Sequence, residues 1–272
     1  GLAYSNLKPS RPPLIVVGMH RSGTSLLASI LQDSGVLMGT RQSRGKTESI
    51  LFRDINTGAL ERMGHSWRCV ELFPPQEELL NHYAWLTVRI EKQLRRGLLR
   101  QHLGPWVALR LVRERGLRWG WKDPRTSLLL PLWSQIFPDA TLVHIVRNGL
   151  DVALSLLARE AKRESRSIET LTRTQRERFV ADVRLWEFYL ERIRQSAPLF
   201  RTVHTLKYED LLSDPRTELK RLFAAIDLEP RARIDPASMI DASRAFRSRQ
   251  SRLSWLDDLD IRAPSLSRLG YE

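Results

Sequence analysis

Short apolar runs alternate along this chain with longer stretches of helical periodicity. The clearest apolar runs are LIVV (14–17) and ATLVHIV (140–146), with shorter ones near residues 118–122 and 202–207. Apolar residues at three- and four-residue spacing mark the intervening helices. This alternation predicts βαβ units built around a central, mainly parallel sheet that is flanked by helices.

Individual residues refine these elements. The first helix is expected from Ser22 to about Gln32, Pro131 is expected to interrupt the helix in SLLLPLWSQIF, and Pro215 to introduce a later one. The segment 48–115 is predicted to be helical, and the segments 1–12 and 231–272 to be irregular. No linker rich in Gly, Ser or Pro divides the chain, so we expect a single domain over residues 1–272.

Composition narrows the class of partner. The 44 Lys and Arg against 31 Asp and Glu give a net charge of +13, which favours nucleic acid, acidic lipids, polyanionic sugars or a highly phosphorylated small molecule. No apolar run approaches the ~18 residues of a transmembrane helix, and the single cysteine, Cys69, is typical of a reducing compartment, so we expect a cytoplasmic location. Cysteine–histidine metal spacing is absent, and no metal is expected.

The segment GMHRSGTS (18–25) follows the first strand and resembles a phosphate-binding loop that has lost its lysine. Gly18 and Gly23 have the spacing of G-x-x-x-x-G-K-[ST], but Thr24 occupies the lysine position and Arg21 lies inside the loop. A strand–loop–helix junction offers backbone N–H groups to an anion. The candidate anion-binding residues here are Gly18, His20, Arg21, Ser22, Gly23, Thr24 and Ser25.

A second anion site is predicted in HIVRNGLDVALSLL (144–157). Arg147 ends a strand and Ser155 follows eight residues later on a helix, at the sheet edge where ligands of α/β proteins bind. The alternative is that Arg147 pairs with Asp151 while Ser155 only packs. Two such sites together indicate a ligand with anionic groups at two ends, such as a nucleotide phosphorylated at both ribose positions.

Three segments together resemble the sulfotransferase family, in its bacterial and tyrosylprotein branches: GMHRSGTSLLASIL, WKDPRTSLLLPLWSQIFPDATLVHIVRNGLDVALSLL and LKYEDLLSDPRTELKRLFAAIDL. The resemblance implies a three-layer P-loop-type α/β fold. It also implies 3′-phosphoadenosine-5′-phosphosulfate (PAPS) as co-substrate and 3′,5′-ADP (PAP) as product. Residues 18–25 would bind the 5′-phosphosulfate, Arg147 and Ser155 the 3′-phosphate, and Tyr208 would lie near the adenine. Arg247 or Arg249 in the C-terminal segment would cover the 3′-phosphate.

Sulfonate transfer requires a positioned acceptor, a base and cations along an in-line displacement. We expect Arg21 to hold the 5′-phosphate and the sulfonate. By resemblance, Lys122 in WKDPR would stabilise the bridging oxygen, and Glu48, ahead of Asn56, would be the base. His20 and His65 are alternative bases, and Glu48 would otherwise be a helix N-terminal acid. Asp123 and Arg125 are expected to form a structural ion pair, and Trp186 and Tyr189 to pack in the core.

Two other functions remain open from the sequence. A nucleotide-dependent kinase or NTPase with a degenerate loop would need a loop lysine and a metal-binding aspartate at a strand end, and neither is evident. A polyanion-binding module would follow from the charge alone, but leaves the spacing of the two anion motifs unexplained. The acceptor is expected to be a small molecule, a glycan, a lipid or a tyrosine, and no nucleic acid is expected.

Overall fold

A single parallel sheet organises the described part of the chain. The computed structural model describes residues 11–42, 47–104, 118–163, 172–229 and 259–271, together with Ser238, Ile240 and Trp255. Its strands are β1 (Leu14–Val17), β2 (Gly120–Lys122), β3 (Thr141–Val146) and β4 (Thr202–Lys207). They pair in the order β2-β1-β3-β4, all parallel, which confirms the predicted parallel α/β architecture.

Helices connect and cover these strands. Between β1 and β2 lie α1 (Thr24–Asp33), α2 (Ile50–Arg62), α3 (Gln76–Asn81), α4 (Trp85–Gly97) and a π-helical segment (Leu98–Leu103). Between β2 and β4 lie a 3₁₀ helix (Pro124–Leu128), α5 (Leu130–Ile136), α6 (Gly149–Arg163), α7 (Arg173–Ser196) and a short 3₁₀ turn (Ala197–Leu199). After β4 come α8 (Tyr208–Ser213), α9 (Pro215–Ala225) and α10 (Pro264–Arg268).

Several boundaries differ from the sequence prediction for physical reasons. Pro131 does not interrupt a helix but lies in the first turn of α5, where a missing backbone N–H costs nothing. The first helix begins at Thr24 and not at Ser22, because Gly23 has left-handed backbone angles. The helix α10 lies within the C-terminal segment predicted to be irregular.

The two faces of the sheet bury separate apolar cores. Alternate strand residues point to opposite faces, so Ile15 and Val17 pack with α6, α7 and Trp121 of β2, whereas Leu14 and Val16 pack with α1, α8 and α9. Phe52 from α2 stacks on Trp121 of β2, with ring centroids 3.9 Å apart. The sheet is therefore the middle of three layers.

The carboxyl ends of all four strands meet at one edge of the sheet. The glycine loop follows β1, Lys122 is the last residue of β2, Arg147 follows β3 and Tyr208 follows β4. In open parallel sheets this is the edge at which ligands bind. The fold thus brings the predicted anion-binding segments to one place.

Among the helices in the described ranges, none combines the length and the apolar character that crossing a bilayer requires.

Candidate functional site

Two glycines shape the loop after β1. Gly18 has φ 147° and a Cβ there would lie 2.5 Å from the carbonyl oxygen of Ile145. Gly23 has φ 93° and a Cβ there would lie 2.4 Å from the ring of Tyr208. Both the backbone angles and the available space therefore require glycine at these positions, and the loop lies directly against β3 and α8.

The start of α1 presents unused hydrogen-bond donors to this loop. Gly23 caps the helix without a side-chain hydrogen bond, and no acidic residue occupies the first turn. The first N–H groups of a helix have no intrahelical acceptor, so they are open to an anion. Ser22 is buried, and its hydroxyl has no hydrogen-bond partner among the described residues. Thr24 is also buried, whereas Arg21 and Ser25 are exposed.

Ser127 fixes the first residue of the loop. Its Oγ accepts a hydrogen bond from the backbone N–H of Gly18 at 3.1 Å. Both residues are buried, and they are 109 positions apart in the sequence. The loop is therefore held in place by the 3₁₀ helix that follows β2, and no sequence motif had indicated Ser127.

Three residues from three separate segments meet beside α1 and form what we call the transfer end of the site: Ser25, Glu48 and Lys122. Lys122 Nζ donates to Ser25 Oγ at 3.0 Å and to Glu48 Oε1 at 3.2 Å. Lys122 is fully buried and Glu48 is 5% exposed. Thr47 Oγ1 also donates to the carbonyl of Ser25 at 3.1 Å, which holds the glutamate segment against α1. The predicted base and the predicted lysine are therefore in direct contact.

A buried polar network supports the turn that follows Lys122. Arg125 Nη1 donates to Asp123 Oδ1 at 2.7 Å, which confirms the expected ion pair. Asn56 Nδ2 donates to Asp123 Oδ2 and to Thr126 Oγ1, both at 2.8 Å. Burial raises the pKa of Asp123, while the charge of Arg125 and the hydrogen bond from Asn56 oppose the shift. Asn56 thus has a structural role that its position after Glu48 did not reveal.

His102 connects the glutamate segment to β2. Its Nδ1 lies 2.8 Å from Ser49 Oγ and its Nε2 lies 2.9 Å from the carbonyl oxygen of Gly120. Burial lowers the pKa of His102 to about 4, so the ring is neutral near pH 7. Because a carbonyl only accepts, Nε2 carries the proton and Nδ1 accepts from the Ser49 hydroxyl. This neutral ring fixes the residue next to Glu48.

We call Arg147, Ser155 and Tyr208 the anchor end. Arg147 is 7% exposed, and its Nη2 donates to Asp151 Oδ2 at 3.3 Å. Its guanidinium also lies over the ring of Tyr208, 4.8 Å from the centroid. The pairing of Arg147 with Asp151, considered above as an alternative to anion binding, therefore occurs in the structure, on an arginine that lies at the predicted sheet edge.

Arg21 joins the loop to the anchor end. Its Nε donates to Ser155 Oγ at 2.8 Å, and its carbonyl oxygen accepts from Arg147 Nη1 at 3.2 Å. Its backbone is in the left-handed region, with φ 72°. The sequence assigned Arg21 and Ser155 to anionic groups at opposite ends of the ligand, and the structure places their side chains in contact.

Glu209 and Tyr271 hold the backbone just after Arg147. Glu209 Oε1 accepts from the N–H of Asn148 at 3.0 Å, and its Oε2 accepts from the hydroxyl of Tyr271 at 2.8 Å. Burial raises the pKa of Glu209, which these hydrogen bonds oppose. A contribution of the C-terminal segment to the site was expected through Arg247 or Arg249, but both lie outside the described residues. Neither Glu209 nor Tyr271 was identified from the sequence.

The remaining candidates lie around this centre. The ring of His20 packs on Trp67 with centroids 4.3 Å apart, and His65 packs on Phe73 at 4.9 Å. Trp186 and Tyr189 are fully buried in the core, as expected. Within the described ranges no group of three or more His, Cys, Asp or Glu residues has the arrangement of a metal site.

Comparison with known families identifies one match. The model described as "Sulfotransferase family" matches residues 12–232, which is most of the chain. A search of the curated proteins gives no match.

Solved structures with a similar fold include several sulfotransferases. The sulfotransferase domain from the curacin biosynthetic pathway is 16% identical, with a TM-score of 0.57 over 96% of this chain and 99% of that one. The sulfotransferase domain of the Synechococcus PCC 7002 olefin synthase is 15% identical, with a TM-score of 0.58 over 96% and 95%. A sulfotransferase from Mycobacterium tuberculosis is 20% identical, with a TM-score of 0.50 over 86% and 72%. At these identities the likeness establishes the fold.

Proposed function

The chain belongs to the sulfotransferase family, and we propose that it transfers a sulfonate group from PAPS to a hydroxyl or amine of an acceptor. The observation that carries this proposal is the contact of Lys122 Nζ with both Ser25 Oγ and Glu48 Oε1. It places a cation and a carboxylate together at the start of the helix that follows the anion loop. These are the two groups that an in-line sulfonate transfer needs from the protein.

The residues present fit a ligand with anionic groups at two ends. At the loop, the uncapped first turn of α1 and the buried Ser22 hydroxyl offer donors to a 5′-phosphosulfate. At the other end, Arg147 offers a guanidinium and Ser155 a hydroxyl to a 3′-phosphate. Tyr208, which packs against both Gly23 and Arg147, is suited to lie near the adenine. Arg247 is proposed to add a further positive charge.

Each catalytic residue has a distinct role in this proposal. PAPS would supply an activated sulfonate whose S–O bond to the phosphate breaks as the acceptor oxygen bonds to sulfur. Glu48 takes the proton from the acceptor hydroxyl. Lys122 donates to the oxygen on which negative charge develops, and Arg21 holds the 5′-phosphate and the sulfonate. Because a sulfonate carries less charge than a phosphoryl group, two cationic side chains suffice, and the proposal includes no metal ion.

Nucleotide binding distinguishes this function from its main alternative. Thermal unfolding is measured with PAP and, separately, with ATP and magnesium. We expect PAP to raise the unfolding temperature, because ligands that bind only the folded state stabilise it. Stabilisation by ATP and not by PAP would contradict the proposal. The kinase alternative is not favoured, since the sulfotransferase family model matches this chain and Thr24 occupies the lysine position of a nucleotide loop.

A screen of acceptor classes tests the transfer itself. The protein is incubated with sulfur-labelled PAPS and a phenol, a sugar, a lipid-linked glycan or a tyrosine peptide, and label in the acceptor is measured together with PAP release. We expect one class to be labelled in proportion to the PAP released. PAP release without labelled acceptor would show hydrolysis in place of transfer.

A further inference from the structure

The structure contains two deeply buried arginines among its described residues, and only one has a carboxylate partner there. Arg147 is 7% exposed and pairs with Asp151. Arg192, near the end of α7, is 5% exposed, and neither its Nε nor its Nη2 has a hydrogen-bond partner. Burial lowers the pKa of Arg192, and no nearby acidic group in the described residues offsets this effect.

The surroundings of Arg192 stabilise one face of the guanidinium and leave its edge unused. The ring of Phe73 lies 5.3 Å from the guanidinium carbon, in cation–π geometry. A cation–π contact does not use the N–H groups, which lie in the guanidinium plane. Ser196 follows one turn later on the same helix face. It is 1% exposed, and its Oγ also lacks a partner within the described ranges.

The unused donors have the geometry of an oxoanion site. Nε–H and an Nη2–H form one edge of the guanidinium, and two such parallel donors match two oxygens of a carboxylate, sulfate or phosphate. Leaving a charge buried without a counter-charge is strongly unfavourable. We propose that the Nε–Nη2 edge of Arg192, with the Ser196 hydroxyl, binds the oxoanion group of a ligand beneath the 65–73 segment.

This site lies near the glycine loop but shares no residue with the proposed donor site. Tyr189 lies one turn before Arg192 and its hydroxyl donates to the carbonyl of Trp67 at 2.9 Å. Trp67 in turn packs on His20 of the anion loop. The 65–73 segment, which contributes Phe73, therefore also contacts the glycine loop. The inference stands on Arg192 and Ser196, and does not depend on the proposed function.

Sulfate titration tests the site. Unfolding temperature is measured against sodium sulfate, with sodium chloride at equal ionic strength, for wild type, Arg192→Met and Arg184→Met. Arg184 is exposed on the same helix, so its variant controls for the loss of charge. Sulfate bound at the donor site contributes equally to all three proteins. Without sulfate, we expect Arg192→Met to be at least as stable as wild type. With sulfate, we expect its unfolding temperature to rise less than that of wild type or Arg184→Met.

The sign of the effect separates a ligand site from a structural role. If Arg192 only supports packing, Arg192→Met is less stable than wild type by the same amount at every sulfate concentration, which would overturn the proposal. Should that variant not fold, Ser196→Ala and direct calorimetric titration of wild type with sulfate replace it. There we expect Ser196→Ala to weaken sulfate binding several-fold, and equal binding by the two proteins contradicts the site.

A series of carboxylates identifies the source of the oxoanion. Formate, acetate and hexanoate are titrated into wild type and Arg192→Met under the same conditions. Binding of hexanoate as well as formate supports the terminal group of a larger ligand, and binding of formate and acetate alone supports a small free oxoanion. Absence of an Arg192-dependent response to sulfate and to all three carboxylates contradicts the proposal.

Discussion

The anchor end and the transfer end of the site are built in different ways. At the anchor end, Arg147, Asp151 and Ser155 belong to one strand–helix unit with spacings of four and eight residues. At the transfer end, Lys122 contacts Ser25 and Glu48 across 97 and 74 residues. The Arg147–Asp151–Ser155 arrangement follows from a single βα junction, to which the end of β4 adds Tyr208. The transfer end exists only when β1 and β2 pair and the 47–49 segment packs on α1.

Under the proposed function, this difference separates nucleotide binding from the chemical step. The anchor end holds one guanidinium in a local motif. Loss of this guanidinium should weaken nucleotide binding while the transfer residues stay in place. The transfer end places a buried lysine against a glutamate, so its disturbance should reduce turnover more than affinity. Substitutions at each end therefore test whether the two functions are distinct.

Glu48→Gln is expected to have the largest effect. Removing a positioned base costs ~10²–10⁴ in rate, while glutamine keeps the size of the side chain and an oxygen that accepts from Lys122. Turnover of PAPS with the best acceptor is compared with PAP affinity from calorimetry, and Glu61→Gln on the exposed side of α2 is the control. Turnover within a few-fold of wild type would remove Glu48 from the role of base.

Acid is expected to destabilise the protein partly through His102 at the transfer end. The pKa of His102 in the folded protein, about 4, lies below its ordinary value of 6.5. The contribution of the neutral ring to the unfolding free energy is therefore fully present above pH 6.5 and is lost as the pH falls towards 4. The difference between the two pKa values corresponds to about 3 kcal/mol of unfolding free energy. Burial lowers the pKa of His144 on β3 in the same way.

Denaturant unfolding between pH 4 and 7 measures this loss. His102→Gln, which keeps a donor for Gly120, should reduce the decrease in unfolding free energy on acidification, and His144→Leu should remove a separate part of it. If His102→Gln has the same pH dependence as wild type, the His102 ring of wild type does not titrate in this range.

Arg147→Ala is expected to weaken PAP binding tenfold or more. A charged hydrogen bond to phosphate contributes ~1.5–3 kcal/mol, and the residue lies at the sheet edge beside Tyr208. Because the substitution removes the ion pair between Arg147 and the buried Asp151, the double variant with Asp151→Asn is measured too. Affinity is taken from calorimetry, with Arg184→Ala as control. Equal affinity in wild type and both variants would exclude Arg147 from the site.

Gly23→Ala tests whether the loop and the anchor end fit closely. Alanine there meets the Tyr208 ring and a positive φ, whereas alanine at Gly64 meets only a positive φ of 76°, with no atom within 4 Å. The crowding should cost ~1–3 kcal/mol of unfolding free energy beyond the Gly64→Ala control. Denaturant unfolding of both variants measures this difference. Equal stability of the two variants would show that Tyr208 moves aside without cost.

Part of this site could be predicted from the sequence, because short sequence patterns indicate where a strand ends and which residues follow it. The strand ends fixed the positions of the glycine loop, Lys122 and Arg147, and the parallel pairing brought them to one edge. Glu209, Tyr271 and His102 could not be predicted. Their partners are distant in sequence, as in the 62 residues between Glu209 and Tyr271, and a lone acid or histidine has no periodic signature.

Arg192 shows the same limit in another form. Arginines at residues 173–194 recur on a helix whose charged face is largely exposed, and the sequence gives no sign that one of them is buried. The packing of Phe73, in the 65–73 segment, against the Arg192 guanidinium contributes to this burial. Burial of a charged residue is a tertiary property.

The contacts of Arg21 have a thermodynamic consequence for the glycine loop and the anchor end. Because Arg21, a loop residue, contacts Ser155 through its side chain and Arg147 through its carbonyl oxygen, the loop and the anchor end share these contacts, and substitutions in the two are expected to be non-additive. A ligand group that draws the guanidinium of Arg21 towards the loop also releases the Ser155 hydroxyl for a second group. Under the proposed function, occupation of the loop by one anionic group would therefore favour binding of a second group at Ser155.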